Sequence, residues 1–265
     1  MNSKLIDMHT IKEKLKAFEQ LLEIMEELRA KCPWDREQTM ESLRNLTIEE
    51  TYELADAILD KDLDEVRKEL GDLILHIVFY SKIGSEKGAF DIADVLNGIS
   101  KKLVYRHPHV FGDRKVKDAG EVIENWEQLK IKEGNRSVLS GVPGSLPAMI
   151  KSHRIQDKAR AVGFDWDQRE QVWDKVIEEI NEVKQELMNG SHKERMEEEL
   201  GDLLFSVVNA ARLYNIEPET ALEKTNRKFI RRFQYLELKA NEMGRSLKEM
   251  SLEEMEAIWQ EAKSR

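Results

Sequence analysis

Apolar residues recur at helical spacing along most of the chain. Ile11, Leu15, Phe18, Leu22 and Met25 form one stripe, because residues three and four apart share a helix face. The stripe ends where Cys32-Pro33 disfavours further helix. Similar patterns cover 45–59 and 63–83, separated by the polar turn Asp60-Lys61-Asp62, and then 91–105, 171–188, 194–214, 217–240 and 251–263. Sustained alternation with β-branched enrichment is missing, so the pattern predicts an all-α fold. The segment 200–211, LGDLLFSVVNAA, is apolar on nearly all sides, which predicts burial from several directions.

The same pattern occurs twice. Ile48-Glu49-Glu50-Thr51-Tyr52-Glu53 matches Ile177-Glu178-Glu179-Ile180-Asn181-Glu182, and Glu69-Leu70-Gly71-Asp72-Leu73 matches Glu199-Leu200-Gly201-Asp202-Leu203. Lys102 through Arg106 matches Lys228 through Arg232, and Trp126 with Lys130 matches Trp259 with Lys263. Constant order and near-constant spacing over more than a hundred residues mark two tandem helical domains. Three of the five prolines and six of the thirteen glycines lie between residues 106 and 165. We therefore expect an N-terminal domain over 1–130, a linker over 131–150 and a C-terminal domain over 151–265.

Charge and composition narrow the partners. Of 265 residues, 42 are Lys or Arg and 52 are Asp or Glu, a formal net charge of −10. That surface disfavours broad nucleic-acid or anionic-membrane binding, which needs clustered cations. No run approaches the roughly 18 apolar residues of a membrane span, and the opening residues lack an apolar signal region. Cys32 is the sole cysteine, which excludes an intrachain disulfide and a cysteine-built zinc site. These features predict a cytoplasmic protein.

The candidate chemistry lies in carboxylates. In each repeat one helix carries Glu-Glu-x-x-Glu and the next Glu-x-x-Asp. Glu179 and Glu182 share a face, as do Glu199 and Asp202, and an antiparallel helix pair can aim both sets at one point. Four converging carboxylates repel unless a cation sits between them. Oxygen ligands without Cys or His suit Mg²⁺, with Mn²⁺ as a substitute. In the second repeat each carboxylate stands immediately before a core-type residue, which predicts a place at the edge of the apolar stripe. A di-iron bundle would use Glu-x-x-His. His76 has Ser206 at its matching place, so it reads as a core-edge histidine.

Lys228 and Arg232, and in the first repeat Lys102 and Arg106, are spaced to share a face and suit phosphate oxygens. Trp259 is a candidate to stack on a base. His107-Pro108-His109 lacks a third nearby ligand, and no glycine-rich P-loop is present.

These motifs, with Cys32-Pro33-Trp34-Asp35, the run Tyr105 to Asp113 and the run Lys151 to Ala159, resemble the bacterial MazG nucleoside triphosphate pyrophosphohydrolases. The resemblance spans nearly the whole chain. It implies a homodimer that cleaves nucleoside triphosphates to monophosphate and pyrophosphate with Mg²⁺, tolerates many bases and keeps house in the nucleotide pool. It places metal ligands at Glu179, Glu182, Glu199 and Asp202. It places nucleotide contacts on Lys175 to Glu179, Arg195 to Glu198, Lys228 to Arg232, and Trp259. Activity is expected in the C-terminal repeat, with Glu178 orienting or deprotonating the attacking water. Two positions depart from the pattern: Arg195 replaces a lysine of some relatives, and Met40 replaces a frequent histidine. Two other readings remain open. One is a non-catalytic helical dimer that binds a metal or nucleotide. The other is a second active site at Glu50, Glu53, Glu69, Asp72, Lys102 and Arg106.

Overall fold

The computed structural model describes residues 9–118, 120–122, 125, 126, 129 and 137–264. It divides into two compact units, Met1–Lys115 and Val116–Arg265. The expected all-α architecture is present, with no strand among the described residues. Residues 131–136 of the expected linker lie outside them.

The first unit comprises α1 (Ile11–Lys31), α2 (Pro33–Glu37), α3 (Met40–Asp60), α4 (Leu63–Glu86), α5 (Ile92–Arg106) and α6 (Pro108–Phe111). Local capping explains where these helices begin. Thr10 and Glu13 form a reciprocal capping box at α1, and Thr39 and Ser42 do so at α3. Each satisfies two backbone N–H groups that the first turn leaves orphaned. The box at Thr39 starts α3 five residues before the apolar periodicity becomes visible. Asp62 caps α4 by accepting from the N–H groups of Asp64 and Glu65. Helices α3 and α4 form the main antiparallel pair. Beside them Met25, Leu43, Val78, Phe79 and Ile83 make a buried cluster, of which a residue such as Leu43 contributes about 2–5 kcal/mol on truncation to Ala.

The second unit holds a short 3-10 turn (Val138–Gly141), then α7 (Ala148–Arg160), α8 (Val172–Asn189), α9 (Lys193–Leu213), α10 (Pro218–Glu242) and α11 (Leu252–Lys263). Helices α8 and α9 pair as α3 and α4 do, and α7 lies against α9 and α10. Val172, Val176 and Ala210 form the core between α8 and α9. Leu236, Ala240, Met250 and Ile258 join α10 to α11. The apolar pattern did not announce α7, because Gln156 and Lys158 are buried on it and break the stripe. The turn Val138–Gly141, within the expected linker, packs on α7 through the Lys158 Nζ, which donates to the Val138 carbonyl at 3.1 Å.

One expectation is corrected. The apolar segment of α9 is not buried from several directions. Leu200, Leu204, Phe205 and Val207 are exposed in the single chain, while Glu199, Ser206, Val208 and Ala210 are buried. The hairpin partner and α7 cover only part of the α9 surface, so an apolar face remains. No helix is long and apolar enough to cross a membrane among the described residues.

The two hairpins turn through left-handed backbone at equivalent places, Lys61 at φ 58° and Gly190 at φ 64°. This conformation costs a residue with Cβ about 1–2 kcal/mol, whereas glycine adopts it freely at a smaller entropic cost. Replacing Gly190 by Ala is therefore expected to lower unfolding free energy by about 1 kcal/mol. Lys61→Gly is expected to raise it by about 0.5 kcal/mol, the αL penalty less the extra chain entropy of glycine. Urea denaturation of the full chain measures both, and opposite signs at the two turns are the predicted outcome.

Candidate active site

The α8–α9 hairpin brings three of the four predicted carboxylates together, Glu179, Glu199 and Asp202, and sets the two glutamates more deeply than an edge position would allow. Glu179 is 4% exposed and Glu199 is 5% exposed, while the apolar neighbour Leu200 is 48% exposed. The expectation of an edge position is thus corrected for these two glutamates, which occupy the face that α8 and α9 turn toward each other, while Glu182 is half-buried and Asp202 exposed. Ligand oxygens of Glu179, Glu199 and Asp202 all lie within 4.8 Å of one another. Glu182, half-buried one turn along α8, lies outside this triad but within reach of its charge. Lost solvation, then the charges of Glu179 and Glu199, push its carboxyl above the usual range.

Burying two carboxylates at close range is costly without compensation, and each has a cation one helical turn earlier. Lys175 Nζ lies 2.6 Å from Glu179 Oε1, and 2.9 Å from Glu178 Oε1. Arg195 Nη2 lies 2.7 Å from Glu199 Oε1, and Nη1 lies 3.0 Å from Glu198 Oε2. Hydrogen bonds to Glu179, then Glu178, hold the Lys175 ammonium above the ordinary lysine value. Hydrogen bonding to Glu198 and the charge of Glu199 do the same for Arg195. The compensation is incomplete, because Glu179 Oε2 is buried without a hydrogen-bond partner. Clustered carboxylate oxygens, one of them orphaned, fit a hard divalent cation.

A cavity of about 830 Å³ opens beside these groups. Lys175, Glu179 and Asp202 line it together with Ile155, Phe164, Trp166 and Phe205. Charged and aromatic side chains in one lining suit a ligand with a polyanionic part and a planar apolar part. Its wall is braced by the buried Arg212, which donates through Nη1 to Asp165 Oδ2 at 3.1 Å and through Nε to Asn209 Oδ1 at 3.0 Å. Burial raises the Asp165 carboxyl, but Arg212 and the Trp166 backbone N–H outweigh it and leave it below the ordinary value. Gln156, 6% exposed, donates to the Phe205 carbonyl at 2.9 Å and so ties α7 to α9.

Gln156, Asp165, Trp166 and Arg212 were not singled out as site residues. Asp165 and Arg212 are 47 positions apart, and no local pattern reports such a pair. The only available signal was the motif run Lys151 to Ala159, whose buried polar residues make no apolar stripe.

Other candidates lie apart from this cavity. Lys228 and Arg232 are on α10, outside its lining, and Arg232 borders a separate groove with Arg231, Tyr235 and Leu238. Trp259 packs its ring 5.1 Å from that of Phe229. Lys102 and Arg106 lie on α5. His76 is buried at 7%, and His107 and His109 hold their rings 5.6 Å apart, with neither joining a metal-type cluster among the described residues.

In the first unit, ligand oxygens of Glu50, Glu69 and Asp72 also come within 4.8 Å of one another. Glu69 is 5% exposed. Lost solvation, then Glu53, raise its carboxyl above the usual range.

This duplicated arrangement has close counterparts among known proteins. The MazG nucleotide pyrophosphohydrolase domain matches residues 38–111 and 168–236. The nucleoside triphosphate pyrophosphohydrolase of Escherichia coli (strain K12) is 44% identical over 253 residues, covering 92% of this chain and 96% of that protein. The nucleoside triphosphate pyrophosphohydrolase/pyrophosphatase MazG of Thermotoga maritima is 43% identical over 251 residues, covering 93% and 95%. YabN of Bacillus subtilis (strain 168), whose function is uncharacterised, is 47% identical over 245 residues, which are 91% of this chain and 50% of that protein. Matches to both repeats, and identity sustained over nearly the whole of the Escherichia coli and Thermotoga maritima proteins, mean that the chain belongs to the MazG nucleotide pyrophosphohydrolase family.

Proposed function

We infer that this chain is a nucleoside triphosphate pyrophosphohydrolase, converting a triphosphate and water to the monophosphate and pyrophosphate, with its active centre at the α8–α9 hairpin. The observation that carries the reading is the juxtaposition of buried carboxylates with an aromatic-walled cavity in a member of this family. Glu179, Glu182, Glu199 and Asp202 hold the divalent cation, Mg²⁺ or Mn²⁺. When bound, such an ion neutralises phosphate charge and acidifies the attacking water.

The residues of the chain do the rest. Lys175 and Arg195, one turn before the carboxylates that would hold the ion, are placed to pass from those carboxylates to phosphate oxygens when a triphosphate binds. Glu178 orients the water or takes its proton as oxygen attacks the α phosphorus and the bond to the β phosphate breaks. The cavity walls hold the nucleoside away from bulk water. Lys228, Arg232 and Trp259 keep the role of nucleotide contacts that the family resemblance gives them. We further propose that residues 151–265 form the catalytic domain and that 131–150 connect it to an N-terminal domain over 1–130. The exposed apolar residues Leu200, Leu204, Phe205 and Val207 support a homodimer, since a single chain leaves them in water. The substrates are free nucleotides of the cytoplasmic pool, with broad tolerance of the base.

With Mg²⁺ and a nucleoside triphosphate, the purified chain is expected to release monophosphate and pyrophosphate. Diphosphate and orthophosphate as products would contradict the bond assignment. Glu199→Gln is expected to lower turnover by at least about 100-fold, more than loss of an outer-shell partner costs a metal site.

The rate should also depend on pH through the metal. Because the Glu182 carboxyl titrates above the usual range, protons compete with the cation at higher pH than for an ordinary glutamate. The Mg²⁺ concentration for half-maximal rate is expected to rise as pH falls from 7 toward 5, and added Mg²⁺ should restore the rate. A half-maximal concentration that stays constant over this range would contradict the placement of Glu182.

A further inference from the structure

The two repeats place opposite chemistry one helical turn before each buried carboxylate. In the second unit Lys175 precedes Glu179 and Arg195 precedes Glu199, at 2.6 and 2.7 Å. The corresponding places in the first unit hold Leu46 before Glu50 and Glu65 before Glu69. Lys68, the nearest cation in sequence, is paired with Glu65. Among the described residues, Glu50, Glu69 and Asp72 form no ion pair with Lys or Arg. Glu69, 5% exposed, also leaves its Oε2 buried without a hydrogen-bond partner.

The neighbouring spaces differ in the same sense. The cavity beside Glu69 has a volume of about 340 Å³, and apart from Ala57 its lining is acidic: Glu53, Asp56, Asp60, Asp62, Glu65 and Glu69. No aromatic ring borders it, in contrast to Trp166 and Phe205 in the second unit. The second repeat replaces Asp56 by Gln185 and Asp60 by Asn189. On this lining Glu53, Asp62 and Glu69 repel a polyanionic triphosphate and attract a divalent cation.

We propose that the N-terminal repeat is a divalent-cation site of its own, formed by Glu50, Glu69 and Asp72 and filled without nucleotide, whereas the C-terminal cluster takes its metal together with the triphosphate. In the C-terminal cluster a bare cation must displace Lys175 and Arg195 from the carboxylates. A triphosphate supplies the oxygens that receive those two side chains. Among the described residues the N-terminal cluster has no resident cation to displace, and the cavity beside Glu69 is smaller and has no aromatic ring in its lining. Only the clause about the C-terminal cluster rests on the pyrophosphohydrolase reading.

Electron paramagnetic resonance of Mn²⁺ titrated into the chelator-treated full chain, without nucleotide, counts the bound ions directly. One tight ion per chain is expected. Glu69→Gln and, separately, Glu50→Gln should weaken it about tenfold or more, and Glu199→Gln should leave it in place. Circular dichroism of the metal-free variants checks that each remains folded, and Glu50→Gln, at a half-buried position, guards against a folding defect at Glu69. Adding a non-hydrolysable triphosphate should then bind further Mn²⁺ that Glu199→Gln removes. No tight ion without nucleotide, two such ions, or one ion lost with Glu199→Gln would each overturn the proposal. The ion count requires no turnover, so a failure to release pyrophosphate would count against the enzymatic reading and leave this test standing.

Discussion

Two carboxylates held between the facing helices of a hairpin, each steadied by a cation one turn earlier on its own helix, set the terms for the rest of the second unit. Ionised groups at such depth are tolerable only when paired. Here the pairing comes from Lys175 and Arg195, whose i,i+4 spacing fixes their reach. The core residues Val172, Val176 and Ala210 hold α8 and α9 in register, and that register is what brings oxygens from both helices within 4.8 Å. The site is an ordered concentration of negative charge, temporarily satisfied by side chains that also have the chemistry to bind phosphate.

Much of this was legible in the sequence because it is local. Helical spacing gave the long helices within a few residues, and the paired Glu-x-x-Glu and Glu-x-x-Asp patterns gave the carboxylates. Capping explains where the periodicity misjudged the ends, as at Thr39 and Ser42. The features that escaped are long-range or polar. The α7 helix carries Gln156 and Lys158 inward, so its buried face does not look apolar. The brace between Asp165 and Arg212 joins a loop to the far end of α9, which no spacing rule connects. The depth of Glu179 and Glu199 was also underestimated. Ranking residues by hydropathy assigns Leu200 to the interior and Glu199 to its edge, whereas the hairpin does the reverse.

The comparison between repeats shows how a duplicated scaffold separates roles with few changes. Both hairpins keep the carboxylate geometry. Arg195 against Glu65, and Lys175 against Leu46, change the net charge around it, and the aromatic residues of the second unit supply a surface that the first lacks beside its cluster. Identical ligand spacing therefore does not imply identical ligands, since the surrounding charge decides what can approach. The exposed apolar face of α9 follows from the same arrangement: the helix turns Glu199 toward α8 and leaves Leu200, Leu204 and Phe205 exposed.

The account stands on the exchange of partners at Glu179 and Glu199. A crystal structure of the full chain with Mg²⁺ and a triphosphate whose α–β linkage cannot be cleaved observes that exchange directly. We expect the cation on Glu179, Glu199 and Asp202, with Lys175 and Arg195 moved from the carboxylates onto phosphate oxygens. Nucleotide bound elsewhere, with the 2.6 and 2.7 Å ion pairs intact, would contradict it.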